Sequence, residues 1–255
     1  MTPGRAVLGV LVGFTAGVMS GLFGVGGGII TTPAIQVLLG GAPYVAVGTP
    51  LPVIFPTSLV GAYTYWRAGE VSVRAARWAA PPGVLGAALG AWATAFVNPH
   101  GILLVTAFLI GWQAVRVARA RPYLVRPRGT TPGPHYAILG FATGFVSGLL
   151  GVGGGIVFVP AVTTILGMPL KRALGTSLLL ISAVAVPGTL VHAALGHIDW
   201  SIFLVLVAGV IPGARIGARI ALGAGERALR IAVGLFLGVV AVLYAAQEAL
   251  LLLRG

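Results

Sequence analysis

The stretch that decides the fold is Ser20-Gly21-Leu22-Phe23-Gly24-Val25-Gly26-Gly27-Gly28-Ile29-Ile30-Thr31-Thr32-Pro33-Ala34, and it occurs twice. The second copy lies 127 positions later, at 147–161, and eleven of the fifteen positions are identical in the two copies. Each copy stands between apolar runs. Glycine lets the backbone leave the helical region, and each Gly inside a helix costs about 1 kcal/mol relative to Ala. We therefore predict a broken helix with exposed amides at each copy, with close helix packing through small residues as the alternative.

The composition indicates a polytopic all-α membrane protein. Hydrophobic residues make up 58% of the 255 residues and charged residues only 8%, which is too few to cover a soluble domain. Apolar runs of membrane-spanning length recur along the chain. The net charge of +12 comes from arginines at the ends of these runs, the positive-inside pattern rather than a nucleic-acid-binding face. The chain has no Cys, which excludes disulfides and thiolate metal sites.

The same offset of 127 positions holds along the whole chain. Corresponding segments are 46–49 and 173–176, 69–72 and 196–199, and 86–91 and 213–218. We therefore predict a first repeat at 1–120, a linker at 121–133 and a second repeat at 134–255, together forming one transmembrane domain. Internal duplication of this kind is typical of transporter folds.

Each repeat is predicted to contain one broken apolar stretch followed by three transmembrane helices. The broken stretches are 5–40 and 135–167, and the helices are 43–67, 78–97, 101–119, 170–194, 200–222 and 227–253. Three prolines, at positions 50, 52 and 56, predict a kink or break in the first of these helices. The N-terminal run resembles a signal peptide, but its equivalence to 137–145 predicts that it is retained.

The charges of corresponding loops predict an inverted repeat. The segment 67–77 carries three arginines, whereas its counterpart at 193–200 has no Lys or Arg. The segment 40–48 is uncharged, whereas its counterpart carries Lys171 and Arg172. Because positive loops lie on the cytoplasmic side, corresponding loops should lie on opposite sides of the membrane. Such inversion needs an odd number of membrane crossings per repeat. Each broken stretch should therefore enter the membrane and return to the side from which it entered. We predict a cytoplasmic linker and both termini outside.

The broken helices predict an anion site inside the protein. Residues 29–40 and 156–167 would begin within the membrane and run toward opposite faces. A helix N-terminus carries unpaired N–H groups and a partial positive charge, which suit an anion. Discontinuous helices hold substrates near the midplane of secondary transporters. A dinucleotide fingerprint is disfavoured because no strand, and no carboxylate at the required spacing, accompanies the glycines.

Further polar residues are candidates for the same site. The hydroxyls of Gly48-Thr49-Pro50 and Gly175-Thr176-Ser177 could donate to an anion or bond back to a helical carbonyl. Arg215 could contact the substrate or extend its charge to the interface. His192 is either a titrating group or structural. The acidic residues lie near predicted helix ends, at positions 70, 199, 226 and 248, so a cation substrate would lack a counter-charge.

The twin GxGGGxxxxP motifs, the A-V/L-G-T positions, the G-x-V/I-S/D turn and the GAxxGA helix resemble the sulfite exporter TauE/SafE family of membrane permeases. The resemblance covers essentially the whole chain. It implies transport of small sulfur-containing anions, such as sulfite, sulfonates or sulfoacetate, across the bacterial or archaeal inner membrane. The implied binding residues are Gly26, Gly27, Gly28, Thr49, Gly153, Gly154, Gly155, Thr176 and Ser177. The common G-T-S of the family is complete at 175–177 but becomes Gly48-Thr49-Pro50 in the first repeat.

We expect a secondary transporter of a small oxyanion, with export as the favoured direction, working by alternating access between the repeats. A passive anion channel is the alternative. An intramembrane hydrolase is disfavoured, because no His lies at the depth of Ser20 or Ser147. We expect no catalytic residue, metal or cofactor, the lipid bilayer and a small sulfur oxyanion as partners, and no nucleic acid. The anion, the direction, the coupling ion and the oligomeric state, a homo-oligomer included, stay open.

Overall fold

A computed structural model describes residues 3–97, 133–151 and 153–235, together with the single positions 108, 112, 238, 239 and 242. Every regular element in these ranges is helical, as the composition predicts. Most of the predicted linker at 121–133, of the predicted helix at 101–119 and of the one at 227–253 lies outside the described residues.

The helices of the two repeats correspond closely. The first repeat contains α1 (Pro3–Phe23), α2 (Gly28–Val37), α3 (Pro43–Gly48), α4 (Pro50–Arg67) and α5 (Val73–Ala93), followed by a 3-10 turn at Thr94–Phe96. The second contains α6 (Gly133–Leu150), α7 (Gly155–Thr164), α8 (Leu170–Ala194) and α9 (Trp200–Gly223), and residues 226–235 are also helical. The bounds of α2 and α7 differ by 127 positions at both ends, as do those of the α3–α4 segment and α8.

Capping side chains decide where α5 and α9 begin. The Ser72 hydroxyl accepts a hydrogen bond from the amide of Ala75, and the Asp199 carboxylate accepts from the amides of Ser201 and Ile202. Such caps satisfy amides that the first turn of a helix leaves unpaired. The predicted start of α5 at 78 is therefore wrong, because the cap at Ser72 starts the helix at 73.

The prolines of the first repeat interrupt one helix, as predicted. Thr49 separates α3 from α4, and Pro50 is the first residue of α4. Proline suits that position because it has no N–H to leave unpaired. The corresponding helix α8 runs without interruption, and Pro187 is the only proline within it.

Small residues bring helices of the two repeats together. Along α1, Gly13, Gly17 and Gly21 lie against the backbones of Leu206, Val210 and Ala214 of α9, in that order. Because both sets of numbers increase together, the two helices run parallel. The packing of α5 against α6 is equivalent, with Gly86 and Gly90 against the backbone of α6. A Cβ at these glycines would meet backbone atoms, so only glycine permits this approach.

The corresponding helices α4 and α8 pack against each other in opposite directions. Gly61 of α4 lies against Leu178, whereas Leu51, ten positions earlier, lies against Gly188. As the position in α4 decreases, the facing position in α8 increases. The two helices therefore run antiparallel through the centre of the protein, where Leu51, Ile54, Ile181 and Ala185 form a buried apolar cluster.

The first broken stretch begins and ends at the same end of the molecule. The Arg5 guanidinium, in the first turn of α1, donates to the carbonyl oxygen of Leu39, just after α2, at 3.1 Å. Near the other end of α1, the Gly21 carbonyl accepts a 3.0 Å hydrogen bond from the hydroxyl of Tyr65 in the last turn of α4. The 21 residues of α1 extend about 31 Å and the 10 residues of α2 about 15 Å at 1.5 Å per residue.

Four helical segments among the described residues are long and apolar enough to cross a membrane. They are Pro3–Phe23, Pro43–Arg67, Leu170–Ala194 and Trp200–Gly223. The helices α2 and α7 are apolar but shorter.

Candidate functional site

Two turns made of glycines with left-handed backbones end α1 and α6. Gly24, Gly26 and Gly27 have φ angles of 68°, 86° and 83°, and the matching glycines at 151, 153 and 154 have 66°, 91° and 66°. A residue with a Cβ is strained in this conformation, which explains the glycine requirement. The helices α2 and α7 begin directly afterwards, at Gly28 and Gly155. The predicted break in each copy is confirmed.

The two glycine turns contact each other between the repeats. A Cβ built on Gly26 would lie 3.4 Å from the Cα of Gly153, and a Cβ on Gly153 would lie 2.6 Å from the carbonyl oxygen of Val25. The side chains of Ile54 and Ile181, from α4 and α8, lie beside this contact. The structure therefore brings the predicted glycines of both repeats together. In this conformation the contact leaves no room for an anion between Gly26 and Gly153.

The start of α2 keeps unpaired backbone amides. The Gly27 carbonyl accepts hydrogen bonds from the amides of Ile30 and Thr31, at 3.1 and 3.2 Å. Within the described part of the chain, the amides of Gly26, Gly27 and Gly28 donate to no backbone carbonyl. At the second turn, the Gly155 amide donates to the Gly153 carbonyl at 2.8 Å. The first turn therefore presents more unpaired donors than the second.

Three hydroxyls that the sequence analysis assigned to the site form hydrogen bonds between the repeats. Thr49 Oγ1 accepts from the amide of Asp199 at 3.0 Å, and Thr176 Oγ1 accepts from the amide of Ser72 at 2.9 Å. Ser177 donates to the carbonyl oxygen of Gly24 at 2.8 Å. Of the three, only Ser177 contacts a glycine turn in these bonds. The two threonines instead hold the loops before α9 and α5, and a role for any of them toward substrate stays a prediction.

Arg215 is not among the residues nearest to the glycine turns. It is exposed on α9, whereas the neighbouring Ala214 and Gly217 are buried toward α1. A cavity of about 810 Å³, lined by Arg74, Arg77 and Trp78 among others, lies at the start of α5, and none of its lining residues is among those nearest to the turns. Contact between Arg215 and substrate stays a prediction.

Three buried hydroxyls next to the turns escaped the sequence analysis as binding residues. Ser20, Thr143 and Ser147 are 0% exposed, and in the part of the chain that the structure describes their hydroxyl oxygens have no hydrogen-bond partner. The position of a Cβ on Gly27 lies 3.5 Å from Ser20 Cβ, and that of a Cβ on Gly154 lies 3.1 Å from Ser147 Cβ. Ser20 and Ser147 occupy corresponding positions of the two repeats. Their repetition at corresponding positions is the sequence signal for a binding role. The sequence-based hypotheses considered these serines only as nucleophiles.

His192 is part of a pair that the sequence did not predict. Its Nδ1 lies 3.1 Å from Nδ1 of His197, and its Nε2 lies 3.2 Å from the carbonyl oxygen of Gly148. A carbonyl can only accept, so Nε2 of His192 carries a proton and, in the neutral ring, Nδ1 accepts from His197. Burial lowers the pKa of His197, which lies in the loop after α8. Among the described residues, no group of three or more His, Asp or Glu side chains could hold a metal ion.

Comparison with known proteins places these features in a family. The model of the sulfite exporter TauE/SafE family matches residues 9–244. The "Probable membrane transporter protein YunE" of Bacillus subtilis is 29% identical over 84% of this chain and 88% of its own length. A "Probable membrane transporter protein" of Xylella fastidiosa is 29% identical over 92% of this chain and 91% of its own, and one from Methanocaldococcus jannaschii is 26% identical over 90% and 91%.

No solved structure matches the chain. The family match spans most of the sequence, and the four membrane-spanning segments agree with the transporter relatives. The chain is a multi-pass membrane protein that belongs to the sulfite exporter TauE/SafE family.

Proposed function

We propose that this protein is a secondary transporter of a small sulfur-containing oxyanion, such as sulfite or an organosulfonate, which binds at the two glycine turns. The observation that carries the proposal is the meeting of Gly26 and Gly153, one from each repeat, where each turn begins a helix. Amides at the starts of α2 and α7 and the partial positive charge of each helix N-terminus favour an anion there. The family match supports the sulfur oxyanion as the substrate class.

The two repeats are proposed to cross the membrane with inverted topology. The antiparallel packing of α4 against α8 supports this, since the two helices correspond under the offset. The contact between Arg5 and Leu39 supports a stretch that enters and returns, because it joins the start of α1 to the end of α2. The unequal charges of corresponding loops support a cytoplasmic linker and both termini outside.

Transport is proposed to require the glycine turns to separate. The turns touch in this structure, so an anion could reach the space between them only after the repeats move apart. The symmetry of the helix packing favours rocking of one repeat against the other as that motion. We propose that the protein works as an exporter on the basis of the family to which it belongs.

Flux of radiolabelled sulfite in proteoliposomes tests this proposal. A matched pair of variants is Gly27→Ala and Gly69→Ala, because both glycines are left-handed, with φ of 83° and 75°. A Cβ on Gly69 would meet nothing within 4 Å, so that variant carries the backbone strain without touching the turns. We expect Gly27→Ala to abolish saturable sulfite flux and Gly69→Ala to retain it.

Two outcomes would contradict the proposal. Equal flux in the two variants would remove the glycine turn from the mechanism. Flux through the wild-type protein that never saturates and shows no exchange of internal for external anion would favour a passive channel over a carrier.

A further inference from the structure

Most hydroxyls within the helices are satisfied by their own helix. Seven of them donate to a carbonyl oxygen four residues earlier, namely Thr15, Thr31, Thr57, Thr64, Thr163, Thr164 and Thr189. The hydroxyls of Ser20 and Ser147 also lie in helices, but they have no hydrogen-bond partner among the described residues. Both side chains are 0% exposed. Thr32, Ser58 and Thr143 are also buried helical hydroxyls without a partner among the described residues, but their counterparts in the other repeat are Val159, Ala185 and Ala16, so only Ser20 and Ser147 form a repeated pair.

An unpaired buried hydroxyl is unfavourable, because it loses its hydrogen bonds to water and gains none in return. Buried polar groups in native proteins nearly always have partners, and an exception needs an explanation such as a bound ion, a bound water or a functional role. Here the exception occurs at corresponding positions of both repeats. A chance packing defect would not be expected to recur at the same place in each repeat.

Both serines lie against the left-handed glycine that precedes a helix. Ser20 Cβ is 3.5 Å from the position of a Cβ on Gly27, and Ser147 Cβ is 3.1 Å from that on Gly154. The amides of Gly26, Gly27 and Gly28 donate to no backbone carbonyl among the described residues. The first turn therefore has a hydroxyl close to several amides, none with a partner among the described residues, and each of these groups is a hydrogen-bond donor that suits an anion.

Among the described residues, two buried hydroxyls without a partner lie beside the second turn and one lies beside the first. Thr143, also buried and without a partner, lies against Gly154, whereas the corresponding residue of the first repeat is Ala16. Ser177 and Thr31 donate to the Gly24 and Gly27 carbonyls of the first turn. The aliphatic side chains of Ile54, Leu174 and Ile181 also lie against the turns. An anion at these turns would therefore meet neutral donors rather than a cationic side chain.

We propose that the hydroxyls of Ser20 and Ser147 are specificity-determining donors to the transported oxyanion, with Thr143 as a third donor at the second turn. The inference rests on the proposed function and adds the residues that distinguish substrates. Hydroxyls and amides at fixed positions favour an anion with several oxygen acceptors, such as sulfite or a sulfonate, over a halide.

The test is thermal unfolding of the full chain in detergent, without anion and with increasing sodium sulfite, sodium methanesulfonate or sodium chloride at constant ionic strength. The variants are Ser20→Ala and Ser147→Ala. Thr163→Val is the control, because that hydroxyl already donates to Val159 at 2.8 Å, away from the turns. We expect the two serine variants to have an unchanged or higher unfolding temperature without anion, since each loses an unpaired hydroxyl.

With sulfite, we expect an apparent affinity about tenfold weaker or more in Ser20→Ala and in Ser147→Ala, with Thr163→Val similar to wild type. The wild-type protein should also prefer sulfite to chloride more strongly than either serine variant does. A purely structural role predicts the reverse pattern, in which the variants unfold earlier without anion and the survivors respond normally to sulfite.

The inference would be overturned if the serine variants unfolded earlier than the wild type without anion, or if folded serine variants responded normally to sulfite. A serine variant that fails to fold would also overturn it. Wild-type sulfite flux together with unchanged sulfite affinity in both serine variants would reject these residues while leaving the proposed function intact. A wild-type protein with neither sulfite flux nor an anion-dependent shift would reject both.

Discussion

Ser177 donates a hydrogen bond of 2.8 Å to the carbonyl oxygen of Gly24, a residue 153 positions earlier and in the other repeat. The bond joins α8 to the first glycine turn, and both residues are buried. In the first repeat the corresponding residue is Pro50, which has no hydroxyl, so the equivalent bond to the second turn cannot form. The first turn is therefore held by an interaction that the second turn lacks.

Replacing Ser177 with Ala should destabilise the protein by about 1–3 kcal/mol, because it leaves the buried Gly24 carbonyl without this donor. Unfolding temperature in detergent measures the effect. The matched control is Ser182→Ala in the same helix, whose hydroxyl donates to Leu179 at 2.8 Å within the helix and joins nothing across the repeats. Similar losses in the two variants would argue against a role for the Ser177 bond in holding the turn.

The second glycine turn should tolerate a methyl group less well than the first. Both Gly27 and Gly154 are left-handed, so Ala costs about 1–2 kcal/mol of backbone strain at either position. At Gly27 the added Cβ meets nothing closer than 3.4 Å, whereas at Gly154 it lies 2.5 Å from the carbonyl oxygen of Thr143. We expect Gly154→Ala to lose about 1–3 kcal/mol more than Gly27→Ala, from overpacking.

Chemical or thermal unfolding of the two variants in the same detergent measures this difference. Gly69→Ala provides the strain alone, since nothing lies within 4 Å of its Cβ. If Gly154→Ala proved no less stable than Gly27→Ala, the close packing of Thr143 against the second turn would be wrong.

Inverted topology predicts that corresponding loop residues lie on opposite sides of the membrane. Ala68 and Leu195 correspond under the offset and are both exposed, Leu195 by 37%. The chain has no Cys, so a single introduced cysteine is the only thiol. We expect Leu195→Cys to react with a membrane-impermeant maleimide in intact cells and Ala68→Cys to react only after permeabilisation. Labelling of both cysteines from the same side would be incompatible with inversion.

The His192–His197 pair should make stability depend on pH. Burial lowers the pKa of His197 below its ordinary value of 6.5, so folding favours the neutral ring. The contribution of His197 to stability is therefore complete above the unfolded-state pKa and is lost as the pH falls through the lower, folded-state pKa. Unfolding temperature should consequently decrease as the pH falls below about 6.5.

The His197→Gln variant tests this dependence, because Gln keeps a donor near Nδ1 of His192 but does not titrate. We expect its unfolding temperature to vary less than that of the wild type over the same acidic range. The same acid dependence in both proteins would assign the effect to another group. His135, exposed at the start of α6, offers the matched replacement His135→Gln.

The helices and their breaks could largely be read from the sequence, because they depend on local chemistry. Only glycine adopts the left-handed backbone at low cost, so two copies of GxGGG predict two helix breaks whatever the surrounding fold. The offset of 127 positions predicted which segments correspond, and α2 and α7 follow it at both ends. The predicted start of α5 at 78 is too late because its cap, Ser72, is a single residue. It lies in the segment 67–77, whose arginines indicate a loop.

Tertiary structure alone decided which groups meet. The contact between Gly26 and Gly153 and the bonds made by Thr49, Thr176 and Ser177 join residues more than 100 positions apart, and they depend on how α4 and α8 pack. Helical periodicity states which residues share a face but not which neighbour that face contacts. For the same reason the sequence does not predict that Arg215 lies on an exposed face. Nor does it predict that the hydroxyls of Ser20 and Ser147 have no partner among the described residues. Local conformation is decided within a few residues, whereas the pairing of helix faces is decided by packing across the whole fold.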